Sequence, residues 1–131
     1  MIKLTAPDGS KVTIDGQLVL RARRTVHGEQ KENGAQTRID WVDMQLVKEA
    51  LETVVPAVKA ELSTFAPVTS RDGSKIWINA KEATGPFPLT PSQDDGVVKS
   101  ALKIMNYRQF VTETPGEIRA LLKKNGGTVL P

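Results

Sequence analysis

Few residues in this chain have side chains that could carry out catalysis. Its 131 residues contain no cysteine and a single histidine, His27, which lies in a polar stretch typical of a solvated loop. Glu49 and Glu113 are the remaining candidates, because two carboxylates can act as a general acid and a general base. Each carboxylate precedes a predicted helix, however, where it would stabilise the helix dipole. We therefore predict that the protein is not an enzyme and has no cofactor.

The sequence also gives no reason to expect a metal centre. Asp8 and Asp72 each precede a glycine in a predicted turn, and such a turn resembles a calcium loop. One carboxylate per turn is too few ligands for calcium, which takes six to eight oxygens. With no cysteine and one histidine, a zinc site is equally unlikely to form. We predict no metal site.

A group of aromatic and basic residues is better suited to binding than to catalysis. Arg108 follows Tyr107 and lies two positions before Phe110, Lys103 lies on the preceding predicted strand, and Trp77 lies on an earlier one. An aromatic surface with an arginine can stack a base and hold a phosphate. The rings could equally form the core of small sheets. Alternation along a strand separates Tyr107 from Arg108 and Phe110, so at least one ring is expected at the surface.

The net charge of +3 raises the question of nucleic-acid binding. Only Arg21, Arg23 and Arg24 form a compact basic group. Phosphate binding needs several cations on one face, so this group is a weak signal for nucleic acid. The same three residues would also suit an exposed strand edge that is protected by charge.

A repeat organises the elements that must position these residues. The segment Asp8-Gly9-Ser10-Lys11 recurs 64 positions later as Asp72-Gly73-Ser74-Lys75. Further pairs at the same offset are Thr5 with Thr69, Ile14 with Ile78, Gln45 with Gln109, Val47 with Val111, and Glu49 with Glu113. A constant offset over the whole chain indicates a tandem duplication. We predict domains at 1–62 and 68–131, joined by a linker at 63–67.

Each repeat is predicted to contain a turn-linked hairpin, further strands and a closing helix. The strands are predicted at 2–5, 12–14, 18–23, 37–42 and 44–48, and at 68–69, 76–78, 98–105 and 107–112. Trp41 falls on one of them. The segment 85–91 is rich in proline and is predicted to replace a strand, because proline cannot donate to a central ladder.

The closing helices are predicted from local signals. Thr114, Pro115 and Glu117 form a capping box with proline at the first helical position, and Gly126 ends that helix. The first helix should begin near Ala50. It contains Pro56, so we expect a kink or a division into two short helices. The predicted fold class is α+β: two duplicated antiparallel β-meanders, each closed by a C-terminal helix, packed with pseudo-twofold symmetry.

The order of these signals resembles the small flagellar FlbD-type family, whose members are short bacterial chains with one such unit. The resemblance covers most of each half of the chain. The matching residues in the first copy are Ile2, Lys3, Leu4, Thr5, Gly9, Val12, Ile14 and Asp15. Those in the second copy are Gly73, Ile76, Ile78, Asn79, Val111, Glu113, Thr114, Glu117 and Ile118. The resemblance implies a non-enzymatic bacterial or phage accessory protein.

The leading prediction for function is a protein-interaction module, with a protein partner or a second copy of the chain. The alternative is binding or sequestration of a small anionic ligand such as a nucleotide signal, as a phage counter-defence protein would do. Weak nucleic-acid binding is the second alternative. No apolar targeting segment is visible at 1–10, and the longest apolar run is too short to span a bilayer. We therefore expect a cytoplasmic protein without membrane contact.

Overall fold

Short strands account for most of the regular structure, because the sequence alternates apolar and polar residues over runs of four or five. The computed structural model describes all residues from 1 to 131 and divides them into unit 1, residues 1–65, and unit 2, residues 66–131. The predicted α+β class is confirmed: the sheets are mostly antiparallel and there are two helices. The division falls within the predicted linker 63–67.

Unit 1 contains a hairpin, a three-stranded meander and one helix. These elements are β1 (Ile2–Thr5), β2 (Lys11–Ile14), β3 (Arg21–Arg24), β4 (Thr37–Asp40), β5 (Met44–Val47) and α1 (Leu51–Glu61). β1 pairs with β2, and β4 lies between β3 and β5, all antiparallel. The apolar face of α1, which includes Val54 and Val58, is fully buried. This burial stabilises the helix more than its own propensity does.

Unit 2 contains six strands and one helix. Its first strand begins one residue before the unit does, at Phe65, the last residue of unit 1. The elements are β6 (Phe65–Thr69), β7 (Lys75–Asn79), β8 (Thr84–Phe87), β9 (Ser100–Ile104), β10 (Tyr107–Val111), α2 (Pro115–Asn125) and β11 (Thr128–Val129). β6 and β7 are neighbours, and a separate sheet has the order β10-β9-β8-β11. The core of unit 2 joins Leu102, Ile104 and Val111 of this second sheet to Ile118 and Leu122 of α2.

Three predicted elements differ from the structure. Residues 65–67 of the predicted linker belong to β6, where Phe65 is buried. The proline-rich segment begins with a strand: β8 includes Pro86, and the ladder tolerates it because the register with β9 shifts between Thr84 and Phe87. Trp41 lies outside β4, which ends at Asp40.

Pro56 does not divide the first helix. α1 is a single helix from Leu51 to Glu61, so the alternative of two short helices is wrong, and the alternative of a kink stays a prediction. Proline removes one hydrogen bond from a helix interior and costs about 3 kcal/mol. Four buried side chains of α1 offset this cost, and they are Leu51, Val54, Val55 and Val58.

One strand, β11, was not predicted at all. It follows α2 and pairs in parallel with β8, through Thr128 opposite Thr84 and Val129 opposite Gly85. Gly127 allows the chain before β11 to pass close to the backbone of Ala80. A Cβ atom at position 127 would lie 2.3 Å from the carbonyl oxygen of Ala80. Unit 2 therefore ends in a strand, and not in the helix that the repeat pattern predicts.

Candidate functional site

The outer face of β8, β9 and β10 brings together most of the predicted binding residues. Leu102 and Ile104 point into the core of unit 2, so the residues between and before them, Lys103 and Ala101, point the other way. The register places Ala101 between Phe87 and Phe110, and Lys103 opposite Arg108. We call the surface formed by Phe87, Lys103, Arg108 and Phe110 the Arg108 face.

Arg108 lies over an aromatic ring that the sequence did not single out. Its guanidinium carbon is 4.6 Å from the centroid of the Phe87 ring, which is the geometry of a cation–π contact. Arg108 and Lys103 are exposed, whereas Phe87 and Phe110 are half-buried. No aspartate or glutamate occurs in β8, β9 or β10. The Arg108 face is therefore positively charged and partly apolar.

A groove adjoins the Arg108 face at Phe87. It has a volume of about 200 Å³ and is lined by Pro86, Phe87, Pro88, Pro115, Arg119 and Pro131. The first turns of α2 contribute Pro115, which lies within the capping box, and Arg119; the two are four residues apart and so share one face of the helix. Arg119 and Phe87 were missed by the sequence reasoning. The only available signal was a phenylalanine flanked by prolines at 86 and 88.

The arginines of this region differ from the others in having no acidic partner. Five arginines form ion pairs with carboxylates, and these are Arg21, Arg23, Arg24, Arg38 and Arg71. No ion pair involves Arg108 or Arg119, the two remaining arginines of the chain. Both lie next to Phe87. A guanidinium has five donors in a planar fork, so these two retain the capacity to bind an anion.

The other predicted binding residues lie elsewhere in unit 2. Tyr107 is 41% exposed, and its hydroxyl lies 3.5 Å from the sulfur of Met105. It alternates with Arg108 along β10 and so points to the opposite face. Trp77 is half-buried on β7, which is not part of the sheet that carries Arg108. The structure thus brings Arg108, Phe110 and Lys103 together, and it separates them from Tyr107 and Trp77.

The predicted basic patch does not form one exposed surface. Arg21 is buried, and its Nε donates to Asp40 at 3.0 Å. Asp40 also accepts from Arg38 at 3.1 Å, and Arg38 in turn donates to Glu29 at 2.9 Å. Arg23 completes the network with two 2.9 Å hydrogen bonds to Glu29. We call these five side chains the arginine network.

Glu29 is held ionised within the arginine network. Burial raises its pKa, but hydrogen bonds from Arg23, from the amide of Val26 and from Arg38 outweigh burial and lower the pKa to about 2. The carboxylate ties the loop after β3 to the sheet of unit 1. Charges that the sequence suggested for phosphate binding therefore stabilise the unit itself.

Glu49 and Glu113 each bind one threonine through both carboxylate oxygens. The two oxygens of Glu49 accept hydrogen bonds of 2.8 Å from the amide and the hydroxyl of Thr5. Glu113 makes the same pair of contacts with Thr69, at 2.9 and 2.8 Å. Burial raises the pKa of Glu49, but the two Thr5 hydrogen bonds hold it below its usual value. Each glutamate directly precedes the N-cap residue of a helix, as predicted, but its carboxylate accepts hydrogen bonds from the first strand of its unit.

A larger pocket, of about 460 Å³, lies at the start of α1. Arg24, Lys31, Gln36 and Glu52 contribute its polar lining. Arg24 is already bound to the carboxylate of Glu52 across this space. The pocket therefore lacks a free guanidinium of the kind found in unit 2. The structure contains no group of three or more histidine, aspartate or glutamate side chains that could hold a metal ion.

Comparison of the chain with protein-family models, with curated proteins and with solved structures found no match. The resemblance to the FlbD-type family therefore stays a prediction.

Both helices have 11 residues, and neither combines the length and hydrophobicity needed to cross a bilayer.

Proposed function

We propose that this protein is a non-catalytic interaction module that binds a protein partner through the Arg108 face. The observation that carries this proposal is the position of Arg108 and Arg119, two arginines without acidic partners, beside the half-buried ring of Phe87. Arginine and aromatic residues are enriched in protein interfaces and contribute much of their binding energy. The arginines of unit 1, in contrast, are all paired with carboxylates of the same unit.

Site-specific photo-crosslinking tests this proposal. A photoreactive phenylalanine analogue at position 110, in cells of the source organism, should give one discrete crosslinked polypeptide. The same analogue at Val42, an exposed residue of unit 1, is the matched control and should give none. Arg108→Ala should weaken the product at position 110. Absence of a discrete product, or an equal product from position 42, would contradict the proposal.

A second candidate function is the binding of a small anionic ligand such as a nucleotide signal. The stacking of Arg108 on Phe87 favours it, because a guanidinium and a ring can hold a phosphate and a base. The adjoining groove of about 200 Å³ is below the usual range for small-molecule sites, roughly 300–1,000 Å³. A thermal-shift assay with a panel of nucleotides tests this candidate. A shift that is lost in Arg108→Ala would support it, and no shift across the panel would remove it.

Nucleic-acid binding through Arg21, Arg23 and Arg24 has less support. Arg21 is buried against Asp40, and the guanidinium of Arg23 is occupied by Glu29. Only Arg24 is widely exposed, and it pairs with Glu52. Phosphate binding by several cations would require these pairs to break. Salt-independent retention on a phosphate column would argue against this function.

We also propose that the two units arose by duplication of one ancestral unit. Hydrogen bonds at equivalent positions support this history. The contacts of Thr5 with Glu49 recur between Thr69 and Glu113, and Lys11 donates to Thr5 as Lys75 donates to Thr69. A crystal structure tests the proposal, because duplicated units should superpose. An origin in a bacterium or phage and a cytoplasmic location complete the proposal.

A further inference from the structure

We infer that the partner of the Arg108 face is an acidic polypeptide segment that places one apolar side chain in the adjoining groove. This inference rests on the proposed function and adds the chemistry of the partner. Its carboxylates would bind Arg108 and Arg119, and Lys103 would add a third positive charge. Three features of the structure support it: the free guanidiniums, the absence of acidic residues from β8, β9 and β10, and the size and composition of the groove.

The charges of the surface are complementary to carboxylates. Arg71 in unit 2 meets Asp95, and the arginines of unit 1 meet Asp40, Glu29 or Glu52. Arg108 and Arg119 lack such a partner, although the chain uses carboxylates for every other arginine. A planar guanidinium binds a carboxylate through two parallel hydrogen bonds. An acidic partner would supply what the chain itself supplies at the other five arginines.

The groove limits what else the partner can contain. A volume of about 200 Å³ accommodates one side chain of the size of proline or leucine, and is small for a nucleotide. Its walls are four prolines and Phe87, with Arg119 as the only charged residue. Proline and phenylalanine walls lose little conformational freedom when they are covered. The groove therefore favours an apolar anchor, with acidic residues on either side of it near Arg108 and Arg119.

Selection from a random peptide library tests the chemistry without assuming a sequence. The full chain is immobilised and panned against phage-displayed 12-residue peptides, and enriched sequences are read out. Peptides with several aspartates or glutamates around a proline, leucine or aromatic residue should be enriched. A synthetic peptide of the enriched sequence is then titrated by fluorescence anisotropy.

Two matched variants separate specific recognition from bulk charge. The double substitution Arg108→Ala with Arg119→Ala should weaken binding of the peptide about tenfold or more, because hydrogen bonds to charged groups are lost. Lys123→Ala with Lys124→Ala removes the same charge from exposed positions of α2 and should change affinity less than about twofold. Pro88→Glu, at an exposed position of the groove, should weaken binding by repelling the acidic peptide. None of these substitutions breaks an ion pair, so circular dichroism should show an unchanged fold.

The outcomes distinguish this inference from the proposed function. Neutral or basic peptides whose binding is lost in the double arginine variant would overturn the acidic partner and leave the binding face intact. A crosslinked partner from position 110 without any enriched acidic peptide would also overturn the acidic partner and leave the binding face intact. Acidic peptides that bind equally to wild type and to the double arginine variant would overturn the assignment to Arg108 and Arg119. Failure of both the panning and the crosslinking would overturn the inference and the proposed function together.

Discussion

In unit 1 every arginine is bound to a carboxylate, whereas unit 2 leaves Arg108 and Arg119 without an acidic partner. The arginine network of unit 1 buries its central pair, Arg21 and Asp40, almost completely. The two free arginines of unit 2 lie instead beside Phe87 at the surface. The difference shows that arginines can form internal ion pairs in one unit while two guanidiniums of the other unit stay free of carboxylates.

The helix N-termini differ in the opposite sense, because the helix of unit 2 has a complete N-terminal cap and the helix of unit 1 has none. In α2 the hydroxyl of Thr114 accepts from the amide of Glu117, and the Glu117 carboxylate accepts from the amide of Thr114. α1 begins after Ala50, which has no side-chain oxygen and makes no such cap. The open start of α1 lines the 460 Å³ pocket. Unit 1 therefore depends more on its arginine network and buried side chains than on helix capping.

The largest effect should come from breaking the centre of the arginine network. Asp40→Ala leaves Arg21 buried without its carboxylate, and the loss of one partner from a buried ion pair costs about 3–5 kcal/mol. Urea unfolding of the variant and the wild type measures the change in the free energy of unfolding. A change below about 1 kcal/mol would mean that the network does not stabilise unit 1 as the comparison requires.

Acid should weaken the same network through Glu29. Its folded-state pKa of about 2 lies below its ordinary value of 4.5, so its stabilisation is complete above pH 4.5 and is lost as the pH falls towards 2. Glu29→Gln should therefore be less stable than the wild type at pH 7 by roughly 2–3 kcal/mol, and the difference should shrink towards pH 2. Urea unfolding at pH 7, 4 and 2.5 follows the difference. A difference that is independent of pH would contradict the assignment to the Glu29 charge.

Removing the N-terminal cap of α2 and adding one to α1 should reduce the difference in capping between the two helices. Thr114→Ala removes the hydroxyl of the capping box and should cost about 1 kcal/mol. Ala50→Ser adds a cap oxygen at a position whose backbone is already extended, and should stabilise α1 by a similar or smaller amount. Thermal unfolding of both variants tests the pair. If both substitutions change stability in the same direction, the proposed difference in capping between α1 and α2 is contradicted.

The smallest effect on stability should come from the free arginine. Arg108→Ala removes an exposed contact with Phe87 and no ion pair, so the free energy of unfolding should change by about 0.5 kcal/mol or less. The same substitution should abolish or strongly weaken partner binding. A loss of stability comparable to that of Asp40→Ala would place Arg108 among the structural arginines and would remove the contrast between the units.

Features that depend on neighbouring residues were predictable from the sequence. The capping box of α2 involves residues within four positions of one another, and the hairpin turns depend on adjacent aspartate and glycine residues. The α+β class follows from such local signals together with alternation. These predictions did not require knowledge of which strands meet.

Features that depend on strand register were not predictable in the same way. Arg21 is buried because the register of β3 and β4 places it opposite Asp40, whereas the sequence alone suggested an exposed basic group. Phe87 meets Arg108 only because β9 separates their strands with a shifted register. The sequence therefore singled out three residues of the Arg108 face, Arg108, Lys103 and Phe110, and their role in binding stays a prediction. It did not single out Phe87, whose ring contacts Arg108.

The short strand β11 has a consequence for the behaviour of the protein at high concentration. It covers the side of β8 that is not paired with β9, and it holds this position through Gly127. An uncovered strand presents free amide and carbonyl groups that recruit strands from other molecules. By occupying those groups with two of its own residues, the chain reduces the risk that copies of it will stack edge to edge into fibrils.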